Sequence, residues 1–196
     1  MKKTLTTSAI AAVLLTLLLG IAYPLLVTGI SQVVFPGAAN GSQIKRGGEV
    51  VGSTLLAQDF KRRPQYFQPR PSATGYDPSA TFFANRGPNQ ASTRDFHRRQ
   101  LRRYLALEGP YNPGLTAAGV PVDAVTDSAS GVDPDISEAN ARIQAARVAA
   151  VRRMPVDQVR TLVARYTAGR SLGFLGETGV NVTQLNLALD REAPIR

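Results

Sequence analysis

Between Lys3 and Lys45 the chain carries no charged residue. Within that gap Ser8–Ile30 is almost wholly apolar. As a helix this stretch spans roughly 35 Å, enough to cross a hydrocarbon core of about 30 Å with some tilt. Two readings compete. A cleaved signal peptide would use Lys2 and Lys3 as its basic start, Leu14–Leu19 as its apolar centre and Gly20-Ile21-Ala22 as its cleavage site. An uncleaved anchor is favoured, because the apolar run continues past Ala22 through Leu25, Leu26 and Val27, which a signal peptide does not need. Flanking positive charge orients the segment. Lys2 and Lys3 abut its start, whereas Lys45 and Arg46 lie well beyond its end. The expected organisation is a short cytoplasmic N-terminus (1–7), a transmembrane helix (8–30), a linker (31–44) and an extracytoplasmic domain (45–196) beside the lipid bilayer.

Ser8, Ala12, Thr16 and Gly20 recur every four residues and stack on one face of that helix. Small residues let helix backbones approach, so the stripe is a candidate docking face for a partner helix. The alternative is that such residues are common in any spanning helix. Pro24 is expected to kink the segment just after the stripe.

Chemistry is constrained by what is missing. The 196 residues include no cysteine and one histidine, His97. That excludes a disulfide scaffold, a thiolate nucleophile, Cys-ligated zinc and iron–sulfur clusters, and an HExxH metal site. No Gly-Lys pair exists, so there is no Walker A loop. Gly169, Gly173, Gly176 and Gly179 do not fit the dinucleotide pattern, and no GxSxG elbow occurs. His97 sits among arginines and reads as a surface residue. No metal site and no catalytic set emerges from the residues.

Beyond the apolar run the pattern predicts an α+β chain, with a single mixed α/β soluble domain following the one transmembrane helix. Ile44 and Glu49–Ser53 flank Arg46-Gly47-Gly48 and predict a hairpin. Residues 60–90 predict ordered irregular structure, with Tyr66, Phe67, Tyr76, Phe82 and Phe83 available for burial. Helices are predicted at Ser92–Leu107 (Ser92 and Asp95 forming a capping box), Ser137–Arg153 (capped by Ser137), Pro155–Thr167 and Asn181–Asp190. Strands are predicted near 49–57, 122–126 and 172–175. Net charge is +9 and uneven. Residues 45–103 hold twelve positive and four negative charges, and 104–196 hold nine and ten. Arg94, Arg98 and Arg102, with Arg99 and Arg103 beside them, line one side of a predicted helix. They read either as a solvated face or as a contact for lipid headgroups or an acidic partner. No aromatic residues interleave with this stripe, so a nucleic-acid partner is not expected.

The acidic stretch Asp127–Glu138 has three readings. It is a turn leading into a capped helix, a cation-attracting loop using Asp127, Asp133 and Asp135, or a carboxylate set (Asp133, Asp135, Glu138) for a membrane-anchored hydrolase or cation-binding protein. Gly131 and Ala129 stand where an EF-hand loop needs ligands.

Four ordered segments carry a resemblance: Tyr66-Phe67-Gln68-Pro69-Arg70-Pro71-Ser72-Ala73, Asp123–Pro134, Gln144-Ala145-Ala146-Arg147-Val148-Ala149, and Leu172–Val182 running on to Leu185–Asp190. Preceded by one membrane helix and Val51-Gly52-Ser53, the set resembles the KdpC family, small subunits of the bacterial high-affinity potassium-transporting ATPase. The resemblance implies a non-catalytic subunit of the inner membrane, needed for assembly and stability. Its implied partners are a potassium-translocating subunit and a P-type ATPase subunit. It also implies a catalytic chaperone that raises the ATP affinity of the ATPase subunit, with Gln144 as the nucleotide-contacting glutamine. Read from the residues alone, Gln144 is a helix-surface or interface amide. The match departs at Thr81–Pro88. Paired glycines usual there are absent, and Phe82 and Phe83 deny the close backbone approach that a phosphate needs.

Overall fold

The computed structural model describes residues 2–80, 82 and 84–194. Two compact units divide between Ser53 and Thr54.

The first unit is led by one long helix. α1 (Lys2–Leu17) passes through a π-helical turn at Leu18–Ala22 into α2 (Tyr23–Val34). The apolar helix is therefore longer than residues 8–30. None of its described side chains is buried in the chain alone. The kink expected from Pro24 takes the form of the π-turn. Proline lacks an N–H and its ring crowds the carbonyl four residues earlier, here Gly20. The wider turn lets the Tyr23 amide donate to the Leu18 carbonyl instead. A single turn, α3 (Pro36–Ala39), precedes the antiparallel hairpin of β1 (Gln43–Arg46) and β2 (Glu49–Ser53). Gly47 and Gly48 supply its positive φ angles of 60° and 90°.

The second unit packs helices around a minimal sheet. α4 (Ala91–Glu108) is followed by irregular chain to β3 (Asp135–Ile136), then α5 (Glu138–Arg152), α6 (Val156–Arg165), β4 (Thr167–Ala168), β5 (Gly179–Asn181) and α7 (Val182–Glu192). The sheet order is β3-β5-β4, antiparallel throughout. The core gathers Phe67, Ala141, Ala145, Val148, Val159, Leu162, Val180, Val182, Leu185 and Leu189. On α5 and α7 these recur at three- and four-residue spacing, which places them on one face of each helix.

Ser137 caps α5 as expected, its hydroxyl accepting from the Asn140 amide at 3.1 Å, and Asn181 caps α7 in the same way at 3.0 Å. The capping box at Ser92 does not form. α4 begins one residue earlier, after Gln90 in extended backbone, and no side chain caps it. Residues 122–126 are not a strand, because Val122–Ala124 closes a 3₁₀ turn after Pro121. Residues 172–175 are a tight turn instead, with Leu172 and Gly173 at φ of 54° and 82° and one bridge between Ser171 and Leu175. Tyr66 and Phe67 are buried and Tyr76 is half-buried, but Phe82 is exposed. Phe83 lies outside the described residues.

Candidate functional site

The segment 64–68 enters the interior at Tyr66 and Phe67 without a strand partner, so its backbone groups need other partners. Side chains provide them. Asn186 on α7 accepts from the Phe67 amide and donates to the Phe67 carbonyl, both at 2.8 Å. Gln144 on α5 does the same for Gln68, accepting from its amide at 2.7 Å and donating to its carbonyl at 3.1 Å. Arg147 donates to the carbonyls of Pro64 and Tyr66, and Arg152 donates to that of Gln65. Every carbonyl from Pro64 to Gln68 thus accepts from a side chain of α5 or α7.

Gln144 is fully committed. Its oxygen also accepts from Arg147 Nη2 at 2.9 Å, and its nitrogen also donates to Asn140 Oδ1 at 2.9 Å. Both lone pairs and both hydrogens of a primary amide are then used. Beneath it the Arg147 guanidinium meets Glu108 at 2.9 Å, with both side chains wholly buried. Burial pushes the Glu108 carboxyl above its ordinary range, and the Arg147 charge opposes that rise. Glu108 Oε2 has no partner among the described residues. Sequence reasoning missed Glu108, Asn140 and Asn186. The available signal was a polar residue at helical spacing from core residues, as Asn186 is beside Leu185 and Leu189 on α7.

Above Gln144 opens a cleft of about 340 Å³. Gln144, Asn140 and Tyr104 lie on its lining, as do Pro69, Pro71 and Tyr76, with Arg62, Gln100 and Arg103 also present. The Tyr104 hydroxyl donates to Asn140 at 2.8 Å, and the Tyr76 hydroxyl donates to the Arg70 carbonyl at 2.8 Å. Burial pushes Tyr76 up to about 12, and it raises Tyr104 as well. Both phenols stay protonated at neutral pH.

The acidic loop folds as a turn into the capped α5. Asp127 pairs with Arg86, and Asp133 pairs with Arg70 at 3.2 Å. Asp135 has no arginine partner among the described residues, and burial raises its carboxyl, followed by the neighbouring Asp133 charge. Asp123 accepts from the Ser137 amide and hydroxyl and from the Asn140 side chain, locking the loop to the start of α5. Gly131, at φ 75°, closes the turn where a Cβ would sit 2.7 Å from Thr74 Oγ1. His97 is half-buried on α4, with its ring edge-on to Phe96 at 5.7 Å. No group of three or more His, Asp or Glu side chains that could hold a metal ion occurs among the described residues.

Ser8, Ala12 and Thr16 lie on α1, and Gly20 lies within the π-turn. All four are exposed in the chain alone. Gly20 still stacks over Thr16, since a Cβ built there would lie 3.9 Å from Thr16 Cγ2.

Residues 5–191 match the family model described as KdpC, K+-transporting ATPase, c chain. A potassium-transporting ATPase KdpC subunit of Rhodospirillum rubrum is 47% identical over 197 residues, covering 100% of this chain and 99% of that protein. Those of Koribacter versatilis and Polaromonas naphthalenivorans are 46% and 48% identical, each covering all of this chain and 98% of the relative. The match runs through the apolar helix, the amide clamp and the acidic turn alike, and the chain belongs to the KdpC family.

Proposed function

We propose that this chain is a non-catalytic accessory subunit of an ATP-driven potassium importer, anchored in the cell membrane by its apolar helix with the N-terminus in the cytoplasm. The observation that carries this reading is the unbroken family match, which includes both the helix and the domain. The burial pattern supports it. Gln144, Asn186, Arg147 and Arg152 spend their hydrogen bonds on the chain's own backbone. The subunit works by assembly. Its small-residue face at Ser8, Ala12, Thr16 and Gly20 docks on a helix of the translocating or ATPase subunit, and the domain packs on the extracytoplasmic side of the translocating subunit. Asp135 is the carboxylate left to draw cations toward it.

The subunit raises the ATP affinity of the ATPase subunit through assembly. Gln144 serves the fold, since contact with a nucleotide would require breaking one of its four bonds. The test coexpresses the full chain with its partner subunits in cells lacking the native small subunit. Wild type is expected to restore complex recovery and growth at limiting potassium. Gln144→Ala is expected to destabilise the domain by about 3 kcal/mol, from the buried backbone groups it leaves unpaired. It should leave the KM for ATP of any assembled complex unchanged. A raised KM in a fully assembled complex would instead place Gln144 at the nucleotide.

A further inference from the structure

The cleft above Gln144 has a floor and a mouth that differ in chemistry. On the floor, the Gln144 amide is saturated, and the Tyr104 and Tyr76 hydroxyl protons are spent within the domain. Among the polar side chains of the lining, those of Arg62, Gln100 and Arg103 make no hydrogen bond or ion pair with the described residues. They contribute donors only, apart from the Gln100 carbonyl. Arg62 follows Lys61 in a left-handed pair, at φ 51° and 50°. Two consecutive non-glycine residues in that region are uncommon and costly. Arg103 belongs to the outer face of α4. There Arg94, Arg99 and Arg102 also form no ion pair among the described residues, and Arg98 meets Asp95 only at 4.0 Å. Five arginines within ten residues, plus Arg62 at the same cleft, make a net positive surface that faces two acids, Asp95 on the helix and Asp59 on the cleft lining. Such a cluster is repulsive without an anionic partner.

We propose that the cleft mouth and the outer face of α4 form the docking site for a carboxylate-bearing loop of a protein subunit in the same membrane complex. Charge complementarity selects an anion, and arginine suits bidentate pairing with carboxylates. The cleft walls select a peptide over a lipid. Pro69, Pro71, Tyr76 and Leu107 offer apolar surface between the donors. An acidic side chain with apolar neighbours fills both kinds of surface, whereas a phospholipid headgroup is polar on every side. This inference rests on the subunit role proposed above and adds the surface through which it is exercised.

The experiment uses the full chain in membranes with its partner subunits. The double charge reversal Arg62→Glu with Arg103→Glu is compared with wild type and with Arg142→Glu, an exposed arginine on α5 away from the cleft lining. Recovery of the partner subunits on the tagged small subunit is expected to fall at least about tenfold in the double variant, and wild-type recovery to fall as salt rises. Arg142→Glu should match wild type. A photo-cross-linking residue at Gln100 provides a readout independent of variant stability, and it is expected to trap a partner subunit. A cross-link to lipid only, to nucleotide, or to nothing overturns the inference. So does undiminished recovery of the double variant while wild type assembles normally. A wild-type chain that recovers no partner at all overturns the subunit role, and this surface with it.

Discussion

Arg147 is wholly buried and binds Glu108, Gln144 and two backbone carbonyls. Removing one member of a buried ion pair leaves the other charge uncompensated, which costs more than the pair itself contributes. Glu108→Ala is therefore expected to destabilise the domain by about 3–5 kcal/mol, measured by urea unfolding. Because burial raises the Glu108 pKa in the folded state, its contribution is fully present below the unfolded carboxyl range. It is lost as pH rises through the folded pKa. The stability of wild type relative to Glu108→Gln should thus decline with rising pH across that interval. A flat difference would remove the assignment. At this scale the sequence was legible only in part. Phe67 announces burial by its type. Its partner Asn186 lies 119 residues away and that of Gln68 lies 76 away, and no local pattern encodes such a separation.

A local bond made one helix start legible and misled at another, because Ser92 offers the same cap chemistry yet α4 begins at Ala91 with no side-chain cap. Ser137 bonds an amide three residues on, as its type and spacing predict, and Asn181, expected only as the start of its helix, caps α7 in the same way. α5 shows the other end of the same logic. Arg153 adopts φ 57° and the Met154 amide donates to the Ala149 carbonyl at 2.9 Å, a closure that glycine favours. Arg153 is exposed and makes no ion pair among the described residues. Arg153→Gly should therefore raise stability by about 0.5–1 kcal/mol, read as a higher thermal midpoint. A lower midpoint would show that the arginine side chain does more than the backbone requires. The small sheet was not legible. β3 and β4 have two residues each and β5 has three, too few for an alternating pattern to register. They are strands because Ile136 and Val180 meet in the core, a tertiary fact.

On the scale of the molecule, every residue of the main core lies between Phe60 and Leu189, inside the unit that begins at Thr54. A chain starting at Thr54 is expected to be water-soluble and to melt in one cooperative transition. A broad, non-cooperative melt would mean that the preceding residues complete the fold. The apolar helix was legible because a run without charge is a one-dimensional property, and hydrophobic length decides its solvent whatever the rest of the chain does. The family was legible for a similar reason, since ordered motifs survive in linear order. The tertiary structure alone decided that segment 64–68 is held by side-chain amides and guanidinia, that Asp127 and Asp133 are consumed by Arg86 and Arg70, and that Arg62 and Arg103 share one cleft. Hydrogen bonds and ion pairs are satisfied in space, and the chain brings their partners together only when the apolar faces of α5, α6 and α7 close on a common core.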